Sequence, residues 1–298
     1  MQLKIAPEVA STLGAGGPVV ALESTVIAHG LPFPQNIETA RSLEKAVRES
    51  GCIPATIAVF DGDFCVGLNG DQIEELATGD NIRKISRRDL PIAAGKKLTC
   101  ATTVATTAFV AHKAGIRVFA TGGIGGVHRG DRTDVSADLI ELTRTPITVV
   151  CSGAKIVLDL PATREWLETF GITVLGWRCD EFPAFYSGDS GLSVDERVDT
   201  TDEVVAIINA RDRIGLSNSI LVAVPVPEEY AIERQRLETV IEESVRLAEK
   251  QKILGKNVTP FLLSQLSERS GGETLAANIA LLRNNARVAA EIAAELSR

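Results

Sequence analysis

The sequence predicts an α/β protein in which helices flank a mixed sheet and the C-terminal third forms a helical layer. Short apolar runs alternate with helical patterns over most of the chain, which is typical of a sheet covered by helices. Two apolar segments meet at Asp61-Gly62, a dipeptide typical of a β-hairpin, so one strand pair is antiparallel. With 298 residues, 45% of them hydrophobic, the chain is long enough to bury a sizeable core.

The periodicity predicts the following elements, in chain order. Strands are expected at residues 18–22, 55–60, 64–68, 116–121, 147–151, 172–176 and 219–224. Helices are expected at residues 36–50, 103–113, 137–143, 156–170, 228–251, 261–267 and 275–296. The polar stretch 179–199 resembles a linker, but Phe182, Phe185 and Tyr186 favour an ordered loop packed on the body. We therefore expect a single domain over residues 1–298.

Composition limits the classes of function. The formal net charge of −8 argues against a general nucleic-acid binder, whose phosphate contacts need a basic face. No apolar run is long enough to span a bilayer, and no signal peptide opens the chain, so a cytoplasmic location is expected. The five cysteines form no CxxC pair and are expected to be buried free thiols. The three histidines are too scattered to indicate a zinc site, so oxygen ligands are expected for any metal.

Three polar positions follow predicted strands. Glu23, Thr121 and Lys155 lie at or just after carboxyl ends of strands, where ligands bind in open α/β sheets. Between them, the run Gly122-Gly123-Ile124-Gly125-Gly126 is suited to positive φ angles that bring N–H groups close to an anion. A tight turn without a ligand explains the glycines equally well.

Candidate anion and cation ligands come next in the chain. His128 is a plausible phosphate contact, while Arg129 is as well suited to a salt bridge with an acid such as Asp131. Asp134, Ser136 and Asp138 lie at a predicted helix start, where one of them is expected to cap the helix. One cap needs only one such residue, so the others have capacity for a divalent cation or for sugar hydroxyls.

Lys155 and Glu23 have the chemistry of a nucleophile and a proton donor. Lys155 is expected at the start of a helix, where the helix dipole and desolvation favour the neutral amine that forms a Schiff base with an aldehyde. Simple phosphate binding by Lys155 is the alternative. Glu23 ends an apolar strand, where burial would raise its pKa and suit it to acid catalysis. A capping or salt-bridged glutamate is the alternative there.

At these residues the chain resembles the pseudouridine-5′-phosphate glycosidases, also called indigoidine synthase A-like proteins. The resemblance runs through the whole chain in order and is carried by segments 21–32, 84–90, 101–104, 119–130, 134–139, 149–155, 183–185, 255–256 and 260–263, with Gly271-Gly272, Asn278 and Asn284-Asn285 near the C-terminus. The chain departs from the family pattern at 96–100, before the 101–104 segment, and in the variable loop 187–199, which leaves base selectivity open.

The resemblance implies reversible cleavage of the C–C glycosidic bond of pseudouridine 5′-phosphate to uracil and ribose 5-phosphate. Lys155 would form a covalent adduct at C1′ of the ring-opened ribose, and the imine would act as an electron sink when the bond to uracil C5 breaks. Glu23 would move the protons. A Schiff-base aldolase or lyase on another phosphosugar is the runner-up, and a non-catalytic phosphosugar-binding protein is the alternative from another class.

The resemblance also implies ligands and assembly. A divalent cation, usually manganese, would bind Asp134 and water, a shell that suits Mn²⁺. The implied substrate contacts are Lys84, the backbone at Val104, Ser136, Ala137 and Asp138, with Thr121, His128 and Asn278 as further candidates for phosphate or base recognition. The implied fold is a three-layer α/β/α sandwich that assembles as a homotrimer.

Overall fold

A mixed sheet forms the centre of the protein. The computed structural model describes residues 3–130, 133–253 and 258–298. Within them the sheet has eleven strands. The strands are β1 Leu3–Ile5, β2 Val19–Leu22, β3 Ile53–Phe60, β4 Asp63–Val66, β5 Arg83–Ile85, β6 Cys100–Thr102, β7 Val118–Ala120, β8 Thr148–Cys151, β9 Thr173–Trp177, β10 Glu196–Val198 and β11 Ile220–Ala223.

The strand order is β1-β4-β3-β2-β7-β8-β11-β9-β10, and β6 pairs with both β3 and β5. Strand β3 is antiparallel to β4 and β6, whereas the other strand pairs are parallel. The predicted hairpin is confirmed: Phe60 lies opposite Asp63, and both turn residues have positive φ, 51° at Asp61 and 85° at Gly62. Two positive φ values are the signature of a type I′ hairpin turn.

Helices flank the sheet and give the predicted three-layer α/β/α sandwich. The helices are α1 Pro7–Gly14, α2 Gln35–Glu49, α3 Gly70–Thr78, α4 Leu90–Gly95, α5 Val104–Lys113, α6 Ala137–Leu142, α7 Leu160–Thr169, α8 Thr201–Ile214, α9 Arg234–Lys250, α10 Val258–Arg269 and α11 Glu273–Leu296. Helix α11 packs on β2, β7 and β8, while α9 and α10 pack on each other. The predicted helical C-terminal layer is therefore confirmed, with segment 228–251 divided into a short 3₁₀ turn at Glu228–Tyr230 and α9.

Helix α7 begins later than predicted, and the difference changes the position of Lys155 relative to the helix. The helix expected at 156–170 begins only at Leu160, because Asp159 caps it by accepting a hydrogen bond from the Ala162 N–H at 2.9 Å. Pro161 occupies the second helical position, where its missing N–H costs nothing. Lys155 therefore lies in the irregular segment before the helix, and the argument from the helix dipole does not apply to it.

The loop 179–199 is packed on the body, as predicted. Phe182 is 0% exposed, and Phe185 and Tyr186 are each 2% exposed. The Phe185 N–H donates a hydrogen bond to the Ser152 carbonyl at 3.0 Å, which ties the loop to the chain leaving β8. The loop also contributes β10 to the edge of the sheet.

The five cysteines are free thiols. Four are buried, and Cys179 is only partly buried, so the prediction of burial is confirmed for Cys52, Cys65, Cys100 and Cys151. Burial raises the pKa of the Cys52 and Cys100 thiols to about 11, which makes them poor nucleophiles. Among the helices of the described residues, none has the length and apolar character needed to cross a bilayer.

Candidate active site

Glu23 follows β2 in a segment that is pinned to its neighbours. The Ser24 hydroxyl donates a hydrogen bond to the Ile57 carbonyl at 2.7 Å, and the Thr25 hydroxyl donates one to the Thr102 carbonyl at 2.6 Å. These bonds hold the chain against β3 and β6 directly after the strand. The backbone of Glu23 is thereby fixed at the carboxyl edge of the sheet.

The chains leaving β7 and β8 run side by side and bring Lys155 to the same edge. The Thr121 N–H donates to the Val150 carbonyl at 3.0 Å, and the Ile124 N–H donates to the Gly153 carbonyl at 3.0 Å. Beyond them, the Lys155 N–H donates to the Ile124 carbonyl at 3.2 Å. This pairing confirms that Glu23, Thr121 and the turn before Lys155 open at one edge of the sheet.

The glycine run is required by close packing and not by positive φ angles, which the sequence predicted. Gly122, Gly123, Gly125 and Gly126 are absent from the positive-φ glycines of the described residues, so the expectation of left-handed backbone is wrong. Glycine is needed here because a larger side chain would clash with its neighbours. A Cβ at Gly125 would lie 2.7 Å from the Ser136 Cβ and 2.8 Å from an Asp138 carboxylate oxygen. The Gly125 N–H does meet an anion, namely that carboxylate, at 2.9 Å.

Asp138 holds three parts of the site together. Its side chain is only 6% exposed, and its two oxygens accept hydrogen bonds from the Ala105 N–H and the Gly125 N–H, each at 2.9 Å. Ser136 caps α6 by accepting a hydrogen bond from the Asp138 N–H at 3.3 Å, as the capping interpretation predicted. Asp138 thus ties the start of α6 to the start of α5 and to the glycine run.

A cavity of about 360 Å³ opens between these segments. Its walls combine three carboxyl side chains, those of Glu23, Asp134 and Asp138, with the cations of lysine and arginine side chains. The lining residues are Glu23, Thr25, Lys84, Ser86, Arg88, Thr103, Val104, Gly125, His128, Asp134, Val135, Ser136, Ala137, Asp138, Lys155 and Leu158.

The structure brings most of the predicted site residues into this cavity. Thr121 lies behind the wall, where its hydroxyl donates a hydrogen bond to the Glu23 carboxyl. Asn278 is different: it lies partly buried in α11 and is not among the lining residues of the described chain. Its role as a substrate contact stays a prediction.

Two lining residues that had been given no role are Ser86 and Arg88. They follow Lys84, which is on β5, by two and four residues, and all three line the cavity beside the turn Arg87–Asp89. The Ser86 hydroxyl oxygen is buried and has no hydrogen-bond partner among the described residues. The signal available in the sequence was the density of cations and hydroxyls directly after Lys84.

The cavity wall sets the protonation of Glu23. Burial raises the pKa of the Glu23 carboxyl, and the positive charge of Lys155 is the main opposing influence. The Thr121 hydrogen bond and the Lys84 charge also lower this pKa, whereas the Asp138 charge raises it. The net direction is upward, as the sequence predicted, so Glu23 retains its proton to higher pH than an ordinary glutamate.

Asp134 is the candidate metal ligand. Its side chain is 41% exposed, and its carboxylate lies 3.8 Å from Nδ1 of His128. No cluster of three His, Cys, Asp or Glu side chains suited to a metal exists in residues 3–130, 133–253 and 258–298. A carboxylate at an open cavity wall fits a cation that keeps most of its water shell, such as Mg²⁺ or Mn²⁺.

Arg129 links α9 to the segment before α7. Its guanidinium pairs with Glu238 of α9 at 2.9 Å and donates to the carbonyls of Ile156 at 3.0 Å and Leu158 at 3.1 Å. The salt-bridge interpretation is therefore confirmed, with Glu238 as the partner. Asp131, the partner named from the sequence, lies outside the described residues, as do Gly255 and Lys256 of the family segments.

The comparisons with known proteins agree with this site. The family model described as indigoidine synthase A like protein matches residues 8–295. The chain belongs to this family. A pseudouridine-5′-phosphate glycosidase of Caldanaerobacter subterraneus is 52% identical over 298 residues, which cover 99% of this chain and 97% of that relative. The family relatives named in this way are enzymes that cleave a C-glycosidic bond.

Two solved structures have the same fold as this chain. An indigoidine synthase A-like protein of Thermotoga maritima has a TM-score of 0.92 at 38% identity, over 99% of this chain and 97% of that one. The prealnumycin C-glycosynthase AlnA, solved in complex with ribulose 5-phosphate, has a TM-score of 0.92 at 39% identity, over 100% of this chain and 97% of that one.

Proposed function

We propose that this chain is a pseudouridine-5′-phosphate glycosidase, which reversibly splits its substrate with water into uracil and ribose 5-phosphate. The observation that carries the proposal is the pairing of Glu23, a carboxyl with a raised pKa, with the amine of Lys155 at one cavity. Relatives at about 50% identity bear this name, which supports the substrate.

A C–C glycosidic bond explains why both groups are needed. An ordinary glycosidase protonates a leaving oxygen or nitrogen, but the atom attached to C1′ in pseudouridine is carbon C5 of uracil. That carbon leaves only if electrons are supplied at C1′ while C5 is protonated. An amine attached to C1′ supplies those electrons as an imine forms.

The first step opens the ribose ring. Glu23 donates its proton to the ring oxygen as the bond from C1′ to that oxygen breaks, and the lone pair of the uncharged Lys155 amine forms the new bond to C1′. The proton that the new ammonium group loses returns to Glu23. The raised pKa suits Glu23 to this task, because the group must both give and regain a proton near neutral pH.

The second step breaks the C–C bond. Glu23 protonates C5 of uracil, the lone pair of the Lys155 nitrogen forms the C=N bond, and the electrons of the C1′–C5 bond restore the double bond of uracil. Water then hydrolyses the imine, which releases ribose 5-phosphate and the free amine.

The other lining residues are suited to holding the substrate. Lys84, Arg88 and His128 provide donors for phosphate, and the backbone N–H of Val104, the first residue of α5, adds another. Ser136 and Ala137, at the start of α6, line the same wall. The local cations explain how an acidic protein accommodates an anionic substrate.

Asp134 would hold the divalent cation, which we propose to be Mn²⁺, with water in the remaining positions. When bound, the cation supplies positive charge and ordered water next to the anionic substrate. His128, close to Asp134, is placed to orient that carboxylate or to meet the phosphate.

A second candidate is a Schiff-base aldolase or lyase acting on another phosphosugar. The AlnA complex with ribulose 5-phosphate is a reason to keep ketose phosphates in the test. The assay follows uracil release from pseudouridine 5′-phosphate with Mn²⁺, beside a panel of ketose and aldose phosphates. We expect uracil release, and turnover of a simple phosphosugar without it would favour the alternative. Binding of pseudouridine 5′-phosphate without turnover would indicate a non-catalytic sensor.

Three further features are part of the proposal. We propose that the chain forms one domain, assembles as a homotrimer and works in the cytoplasm. Analytical ultracentrifugation tests the trimer directly, and a monomer at micromolar concentration would contradict it. Limited proteolysis tests the single domain, since stable fragments would contradict it.

A further inference from the structure

Asn285 is a polar side chain on a mostly apolar helix face. Its neighbours on the buried side of α11 include Leu281, Leu282, Ala286 and Val288, and Asn285 itself is 0% exposed. Burying an amide is unfavourable unless its donors and acceptor are hydrogen-bonded. The contacts of this amide therefore explain why an asparagine stands there.

The Asn285 amide bridges the two chain segments that leave β7 and β8. Its nitrogen donates to the Thr121 carbonyl at 2.9 Å and to the Ser152 hydroxyl at 3.1 Å. The Ser152 hydroxyl also lies 3.3 Å from the Asn285 amide oxygen, to which it is placed to donate. A longer contact of 3.4 Å reaches the Gly122 carbonyl. The amide is thus fully engaged at the point where the two segments diverge.

One bridged segment contacts Glu23, and the other carries Lys155, the two members of the proposed catalytic pair. Thr121 donates its hydroxyl hydrogen bond to the Glu23 carboxyl. Ser152 begins the turn that reaches Lys155 three residues later, through Gly153 at φ +73°. Asn285 does not line the cavity, so it touches neither the substrate space nor the reacting groups.

We propose that Asn285 is a positioning residue that fixes the placement of the Lys155 amine relative to the Glu23 carboxyl. It acts through the Thr121 carbonyl on one side and the Ser152 hydroxyl on the other. This inference rests on the proposed function, since it assumes that Glu23 and Lys155 act together. A displacement of reacting groups by about 1 Å can lower the rate about 100-fold. Loss of the bridge should therefore lower kcat.

The test compares Asn285→Leu, which keeps the branched shape and the number of side-chain heavy atoms but removes the hydrogen bonds, with Asn284→Leu as a matched control. Asn284 is the preceding residue, and its side chain donates to the Pro225 carbonyl at 3.4 Å and accepts a hydrogen bond from the Arg287 guanidinium at 3.0 Å, away from the cavity. The measurements are kcat and KM for uracil release, the thermal midpoint, and the rate of borohydride trapping of ribose 5-phosphate. We expect kcat and the trapping rate of Asn285→Leu to fall about 10- to 100-fold with KM within about threefold.

The outcomes separate positioning from packing. A lower thermal midpoint for Asn285→Leu with unchanged kcat at a temperature where it is folded would overturn the proposal. If this variant does not fold, Ser152→Ala removes one arm of the bridge, and an unchanged kcat there would also overturn it. If wild-type protein releases no uracil, the proposed function fails. Trapping of ribose 5-phosphate then still compares wild type with Asn285→Leu, and equal trapping rates would overturn the positioning role.

Discussion

Thr121 donates a hydrogen bond to the carboxyl group of Glu23, although 98 residues separate the two in the chain. The contact follows from the register of the sheet, because Leu22 at the end of β2 lies opposite Ala120 at the end of β7. The next residue of each strand then faces its counterpart at the carboxyl edge. Burial raises the pKa of Glu23, and this hydroxyl moderates the rise by stabilising the ionised form.

Replacing Thr121 by valine is expected to change the pH dependence of turnover. Loss of the donor destabilises the ionised form, so the pKa of Glu23 moves further upward. The alkaline decline of kcat, where Glu23 loses its proton, should therefore shift to higher pH. Thr145→Val is the matched control, since Thr145 donates to the Glu141 carboxyl away from the cavity. Equal profiles for Thr121→Val and wild type would contradict the prediction.

Replacing Glu23 by glutamine is expected to alter how stability depends on pH. The folded pKa of Glu23 is raised above the ordinary value of 4.5, so the stabilising contribution of its protonated form is fully present below that value. This contribution is lost as pH rises through the folded pKa. The thermal midpoint of wild type should therefore decline relative to Glu23→Gln across that range. Parallel curves would mean that Glu23 titrates normally.

The same Glu23→Gln variant should also lose catalysis. Removal of a general acid and base typically costs about 10²- to 10⁴-fold in rate, so kcat for uracil release should fall by at least about 100-fold. Binding of ribose 5-phosphate, measured by calorimetry, should remain within about threefold because the amide keeps the shape of the site. Retention of wild-type kcat would remove Glu23 from the mechanism.

Replacing Lys84 by alanine is expected to weaken substrate binding. A hydrogen bond to a charged group contributes about 1.5–3 kcal/mol, so KM for pseudouridine 5′-phosphate should rise about 10- to 100-fold. Lys45→Ala is the control, because Lys45 is an exposed residue of α2 paired with Glu49. At saturating ribose 5-phosphate the Lys84→Ala variant should still form the borohydride-trapped adduct. Loss of trapping there would make Lys84 the nucleophile.

Replacing Asp134 by asparagine is expected to weaken Mn²⁺ binding without unfolding the protein. The side chain is 41% exposed, so the fold does not depend on its burial. Electron paramagnetic resonance of free Mn²⁺ measures the affinity, which should fall at least about tenfold. Asp71→Asn, on the exposed surface of α3, should bind Mn²⁺ as wild type does. Equal affinities for wild type and Asp134→Asn would place the metal elsewhere.

Sequence reasoning predicted the parts of the fold and site that depend on local patterns. The hairpin at Asp61-Gly62 is encoded by the turn dipeptide itself. Glu23 and Thr121 were placed at one edge because each follows an apolar strand, and carboxyl ends of parallel strands meet there. Ser136 was among the cap candidates because its hydroxyl precedes a helical pattern.

Contacts between segments that are distant in the chain could not be predicted from local sequence patterns. Helix α7 was predicted to start too early because the apolar residues after Lys155 continue its periodicity, although Asp159 and Pro161 set the start. Asp138 was expected to have spare capacity, but its oxygens are taken by the N–H groups of Ala105 and Gly125. Nothing in the sequence near Asn285 indicates its bridge to Thr121 and Ser152, since that depends on how α11 crosses the sheet.

Lys155 carries the central claim, and its covalent adduct is the most direct measurement. The protein is incubated with ribose 5-phosphate, reduced with borohydride, digested and mapped by mass spectrometry. We predict a single reduced phosphopentose attached to the nitrogen of Lys155, absent from Lys155→Ala, which should also release no uracil from pseudouridine 5′-phosphate. An adduct on another lysine, or uracil release by Lys155→Ala at the wild-type rate, would contradict the account.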